Sequence, residues 1–217
     1  MPDPQILPSI HHFLPPDAAD MAAQYGPDFP DNFALEQEMI ILFSDMRGFT
    51  ECSESYAPHD VYASINASLA IQARLIHQHG GSVNKFLGDG LLACFSGEHM
   101  AQQLLDCLLE LLVELPAHEG EHLPCGVGFG VHRGYVLFGL LGDKHRREFT
   151  VIGDVVNTAA RLCGLASPFQ ALLTERVLSD VPDDVRRRYC RYLRRQPIRG
   201  KKQAVEIYEV KPVATAR

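Results

Sequence analysis

Half of the prolines in this 217-residue chain, at positions 2, 4, 8, 15, 16, 27 and 30, crowd into its first 35 residues. Each proline fixes its own φ and removes a backbone donor, so this density excludes a long regular helix or strand there. Residues 1–35 therefore read as an irregular arm or linker, with room only for a short helix such as Ala18–Tyr25, and residues 36–217 read as the packed domain. The arm is also acidic: residues 1–38 hold seven carboxylates and no Lys or Arg. The net charge of −7 is thus that of residues 1–38, because the remaining 20 acids and 20 bases cancel. A neutral body gives no electrostatic sign of nucleic-acid binding.

No run reaches the roughly 18 uncharged apolar residues that a membrane span requires. The nearest approach, Leu104–Leu115, is broken by Asp106, Glu110 and Glu114. The first residues show no basic-then-apolar leader pattern. None of the six cysteines forms a C-x-x-C pair, which argues against zinc, and several lie in apolar runs as reduced, buried thiols would. A cytoplasmic location is the expectation.

Beyond the arm the hydrophobic pattern turns regular. Met39–Ser44 is a continuous apolar run and predicts a buried strand. Val61, Ile65, Leu69 and Leu75/Ile76 recur at helical spacing, predicting a helix over 58–79 that Gly80-Gly81 ends. Ser82–Leu87 and Leu91–Phe95 predict a hairpin around Gly88-Asp89-Gly90. Met100–Leu115 predicts a helix stopped by Pro116. A second hairpin, Cys125–His132 with Tyr135–Leu141, is expected to turn at Arg133-Gly134. Asp154–Leu165 reads as a helix, and Ala171–Thr174, Arg188–Leu193 and Val205–Val210 as strands. The order predicts an α+β domain with one mainly antiparallel sheet covered by helices.

Three segments carry candidate chemistry. In Phe43-Ser44-Asp45-Met46-Arg47-Gly48-Phe49-Thr50 a buried strand ends on a carboxylate and runs into a glycine turn. Asp45 either caps that turn or holds a hard cation, and the turn's N–H groups are able to face a phosphate. In Lys85-Phe86-Leu87-Gly88-Asp89-Gly90 a second strand-end aspartate serves either an ordinary Asp-Gly hairpin or, if the strands are neighbours, a two-metal site with Asp45. In Phe149–Leu162, Asn157 and Arg161 lie four apart on one helix face. They are either plain surface residues or an amide and a guanidinium for a sugar oxygen and a phosphoryl group.

Taken together, in this order and spacing, these segments resemble the catalytic domain of the class III adenylyl and guanylyl cyclases over about Met39–Val210. The resemblance implies a ferredoxin-like cyclase fold and a set of roles. Asp45 and Asp89, with the carbonyl of Met46, would bind two divalent ions, Mg²⁺ or Mn²⁺. Lys85 and Thr150 would read the purine, Asn157 would orient the ribose, and Arg161 would stabilise the transition state at the α-phosphate. Phe49 and Thr50 would line the substrate site. Lys201, or alternatively Lys202, would bind the terminal phosphates. Because the family builds its site between two catalytic domains and this chain carries both sets of residues, a head-to-tail homodimer is implied. The arm would then either dock on the catalytic body or link it to a regulatory domain or partner.

Base choice also has a physical reading. Adenine offers an acceptor at N1 and a donor amine at N6; Lys85 only donates, and Thr150 is able to accept. Guanine offers donors at N1 and N2, which Lys85 would leave unmatched at a cost of about 1–3 kcal/mol. The expected activity is adenylate cyclase, a phosphorus–oxygen lyase converting ATP to cyclic AMP and pyrophosphate. The alternatives are a guanylate cyclase or a catalytically silent nucleotide-binding or dimerisation module. His118 with His122 reads as loop rather than a metal site, Gly126, Gly128 and Gly130 as a strand with glycines for close packing, and the arginine-rich 186–195 as a face that is solvated or contacts another domain rather than nucleic acid.

Overall fold

The computed structural model describes residues 30, 33–118, 125–143, 145–198 and 204–212. Eight strands form one sheet in the order β2-β3-β1-β4-β6-β8-β7, with β5 also paired to β4. Its spine is β1 (Ala34–Met46) against β4 (Val127–Gly142), antiparallel and in register from Ala34↔Gly139 to Met46↔Val127. On the other edge of β1 lies β3 (Gly90–Phe95), which is paired with β2 (Ser82–Phe86). Beyond β4 come β6 (Gln170–Thr174), β8 (Val205–Val210) and the edge strand β7 (Cys190–Gln196). All these pairings are antiparallel except β4 with β6. The mixed α/β architecture with a mainly antiparallel sheet is the one expected.

Alternation along β1 divides the core. Ile40, Leu42 and Met46 face a layer built with α2 (Pro58–Gln78) and α3 (Met100–Ala117), including Leu75, Ile76, Leu104 and Leu108. Met39 and Ile41 face the opposite way, towards Val136, Phe138, Val151 and Val155 of β4, β5 (Arg147–Ile152) and α4 (Asp154–Leu165). The period-two pattern of a strand buried on both faces thus explains why its apolar run is continuous. α2 opens on a proline in its first turn and ends before Gly80, whose φ of +75° a side chain would resist.

Several boundaries differ from expectation. The second hairpin does not turn at Arg133-Gly134; β4 continues through both, because they pair with Ile40 and Met39. Arg133 is tied into ion pairs with Glu38 and Asp180. The partner of β4 is instead β5, which holds Phe149 and Thr150. β1 begins at Ala34, two residues inside the segment read as arm, while residues 1–29 lie outside the described residues. α3 extends to Ala117, past Pro116, since a proline in a last turn forfeits one hydrogen bond and the buried Leu112 and Leu115 hold that turn. Arg188 and Tyr189 close a helix, α5 (Asp183–Tyr189), rather than opening a strand. A short helix over Phe49–Ser55, α1, also goes unpredicted. In the arginine-rich segment, Arg186 bonds Tyr208 Oη and Glu175, and Arg191 bonds Glu209. Cys94, Cys107, Cys125 and Cys163 are buried thiols outside any disulfide.

α4 sits almost on the backbone of β4. A Cβ at Gly130 would lie 1.9 Å from Cys163 N and 2.3 Å from the carbonyl of Ala159. Those contacts are with helix backbone, so no side chain is free to yield. Gly130→Ala is expected to destabilise the domain by ~1–3 kcal/mol or more, as overpacking does, measurable as a lower urea midpoint at unchanged slope.

Candidate active site

Antiparallel pairing places Asp45, near the end of β1, opposite Gly90 at the start of β3. Asp89 precedes Gly90 in the hairpin turn, so the two carboxyls meet across neighbouring strands. Gly90 permits this approach: a Cβ there would stand 2.0 Å from the carbonyl oxygen of Ser44. Burial raises the Asp89 carboxyl above its ordinary 3.8, and the charge of Asp45 adds to that rise, while Asp89's own backbone and Arg47 oppose it. Arg47 bridges from the following turn. Its Nη2 donates to the Asp45 carboxylate and lies 3.5 Å from Cys163 Sγ, and its Nε donates to the Asp45 carbonyl at 3.3 Å.

Two repelling carboxylates against one guanidinium leave a net deficit of positive charge, and a hard divalent cation fits such oxygen donors. Among the described residues no group of three or more His, Cys, Asp or Glu is arranged to hold a metal ion by itself. Further ligands would therefore come from backbone carbonyls such as that of Met46, from phosphate oxygens or from water. Beside Asp89 a cavity of about 350 Å³ is lined by Phe49, Tyr62, Ile65, Asn66, Leu69 and Gly88. Phe49 packs on the core from the first turn of α1, and Thr50 next to it is exposed.

A second group forms on β2 and β5. Lys85 Nζ donates to Thr150 Oγ1 at 2.8 Å and to the carboxylate of Glu148. A bulge makes this possible. Val83 pairs with Ala93 but Lys85 with Leu92, leaving Asn84 as the extra residue. Without it Lys85 would oppose Leu91, whose side chain belongs to the layer under α2 and α3. The one-residue shift puts Lys85 on the face of Leu92, the face that β5 covers. Asn84 Nδ2 completes the tie by donating to the carbonyl of Phe149 at 3.3 Å.

Asn157 and Arg161 stand one turn apart on α4, opposite its buried Val155, Thr158 and Leu162. Asn157 is exposed and Arg161 half-buried. Lys201 and Lys202 lie outside the described residues, as does His122. The sequence reading gave no role to Arg47, Asn84 or Glu148. Glu148 had a signal, since it precedes Thr150 by two and so shares its strand face.

The mainly antiparallel sheet flanked by helices is the fold of solved nucleotidyl cyclases. Residues 34–211 match the family of the adenylate and guanylate cyclase catalytic domain, and the chain belongs to that class III family. It is 33% identical to an adenylate cyclase of Anabaena cylindrica over 94% of this chain and 43% of that one. The chain spans less than half the length of the curated relatives it matches. Among solved structures, the guanylyl cyclase Cya2 superposes with a TM-score of 0.73 at 28% identity, covering 84% of this chain and 95% of that one. A bacterial light-regulated adenylyl cyclase shares the fold with a TM-score of 0.80 at 24% identity, over 95% of this chain and 60% of that one.

The Asp89 shift carries a stability consequence. A carboxyl whose folded pKa is raised binds more protons folded than unfolded, so its ionisation weakens the fold as pH rises through that pKa. Asp89→Asn is therefore expected to raise the melting temperature at neutral pH without added divalent ions. That gain should shrink as pH falls below the carboxylate range.

Proposed function

We propose that this domain is an adenylate cyclase, converting ATP to 3′,5′-cyclic AMP and pyrophosphate in a homodimer. The observation that carries the choice of base is the Lys85–Thr150 contact, a donor beside a hydroxyl able to accept. Together they complement adenine N1 and its N6 amine. The ribose 3′-hydroxyl gives up its proton to water, its oxygen forms the new bond to the α-phosphorus, and the bond from that phosphorus to the α–β bridging oxygen breaks as pyrophosphate leaves. Asp45 and Asp89, with the Met46 carbonyl, would hold the divalent ions. When bound, these lower the pKa of the 3′-hydroxyl and offset triphosphate charge. Asn157 orients the ribose, and Arg161 offsets the charge that grows on the α-phosphoryl oxygens. Phe49 and Thr50 border the phosphates, and Lys201 takes the terminal ones.

A second reading, GTP as substrate, has one observation in its favour: Glu148 puts an acceptor for guanine's donors against Lys85. Product analysis by chromatography with ATP or GTP and Mg²⁺ or Mn²⁺ decides between them. Cyclic AMP is expected to dominate. Arg161→Ala should lower kcat by about 10²–10³-fold, in the range seen when one preorganised transition-state donor is lost. Lys85→Ala should lower the preference for ATP by about ten- to a hundredfold. No cyclic product from either nucleotide would mark a silent binding module instead.

The homodimer is supported by what borders the base-reading residues. Register puts Leu137, Leu141, Glu148, Thr150 and Ile152 on one face of the β4–β5 ladder. Of these, Leu137, Leu141 and Ile152 are 49, 58 and 50% exposed, so an apolar face stands open beside Lys85. A purine needs two walls, and a second copy of the chain supplies the other. Leu137→Glu combined with Ile152→Glu should give a monomer by sedimentation, with the fold retained by circular dichroism and cyclase activity lost.

A further inference from the structure

We infer that Glu148 is a positioning residue for base selection: it holds Lys85 so that one N–H of the ammonium remains aimed at the purine. This deepens the reading of Lys85 as the residue that meets adenine N1, and rests on it. A lysine ammonium has three donors on a flexible four-carbon stem. In the structure two are engaged, one by Thr150 Oγ1 at 2.8 Å and one by the Glu148 carboxylate. Thr150 is buried, whereas the Glu148 side chain is 44% exposed, so the two acceptors grip the ammonium from the inner and outer sides. One donor is left over, and N1 of adenine is one acceptor. The rotamer freedom that a free lysine would lose on meeting the base is already removed by this clamp.

The same pair determines what Glu148 does not do. A carboxylate standing alone beside the base would accept from guanine N1–H and N2–H. Here it carries a charge-assisted bond from Lys85, and turning to guanine would release that bond. Thr150, accepting from Lys85 on one lone pair, keeps another for the N6 amine. Three residues therefore define the base reader. Asn84, by tying β2 to the Phe149 carbonyl, brings Lys85 within reach of the other two.

The test compares wild type, Glu148→Ala, Glu148→Gln and Lys85→Ala with three nucleotides: ATP, GTP and 1-deaza-ATP, which lacks the N1 acceptor. Glu148→Ala is expected to lower kcat/KM for ATP about tenfold, through KM with kcat nearly unchanged, and to lower the ATP:GTP preference with it. Against 1-deaza-ATP, wild type and Glu148→Ala should be alike, because the bond that Glu148 supports has no acceptor there. Glu148→Gln, which keeps an acceptor oxygen, should recover most of the loss. A rise in ATP:GTP preference in Glu148→Ala would overturn the inference by showing that the carboxylate reads guanine itself. Equal losses on ATP and 1-deaza-ATP would overturn it as a general structural effect. If Lys85→Ala changes base preference and Glu148→Ala does not, the clamp falls and the base reader stands. If Lys85→Ala changes nothing, both fall. Calorimetric binding of the same nucleotides reads the same contrasts should the domain bind without turnover.

Discussion

The uninterrupted pairing of β1 with β4 is the constraint on which the rest depends. Thirteen residues of β1 are matched without a break; β1 runs well past the end of β3, and β4 past the end of β6. One end of β1 delivers Asp45 to the β3 hairpin. The opposite end of β4 projects far enough to carry β5 over the sheet towards β2. A short, turned β4 would place Thr150 and Glu148 nowhere near Lys85. Both polar groups are consequences of strand length and register before they are consequences of side-chain chemistry.

Close packing of α4 is the second constraint. Gly130 and the small Ala159 let that helix lie directly on β4. This fixes the axis along which Asn157 and Arg161 point outward and brings Cys163 against Arg47. Arg47 in turn forms an ion pair with Asp45. The acidic pair is thus held in a fold that tolerates its repulsion, with Asp89 bearing the cost. Such local cost at a polar site is the familiar exchange of stability for binding capacity.

Much of this was legible in the chain. The 3.6-residue period located α2, glycine and aspartate located the β2–β3 hairpin, and α4 and β8 fell at their observed bounds. Asp45 and Asp89 could be recognised as strand-end acids. The errors cluster where local punctuation was overruled by pairing. Arg133-Gly134 resembles a turn, yet Met39 and Ile40 across the ladder and the acids around Arg133 keep it extended. Pro116 resembles a stop, yet buried leucines carry the helix beyond it.

By itself the sequence determined the identity and order of the polar groups, the apolar periods that make these helices and strands, and the family to which the chain belongs. Those follow from chemistry local in the chain: residue type, spacing and backbone preference. The tertiary structure alone decided which groups meet. A single bulge at Asn84 selects the face of the sheet on which Lys85 emerges, and a slip of one residue there would turn it into the core. Whether Glu148 stands against a lysine 63 residues earlier depends on the curl of β5 across the sheet. Strand register is set by partners far away in the chain, so no local pattern records it.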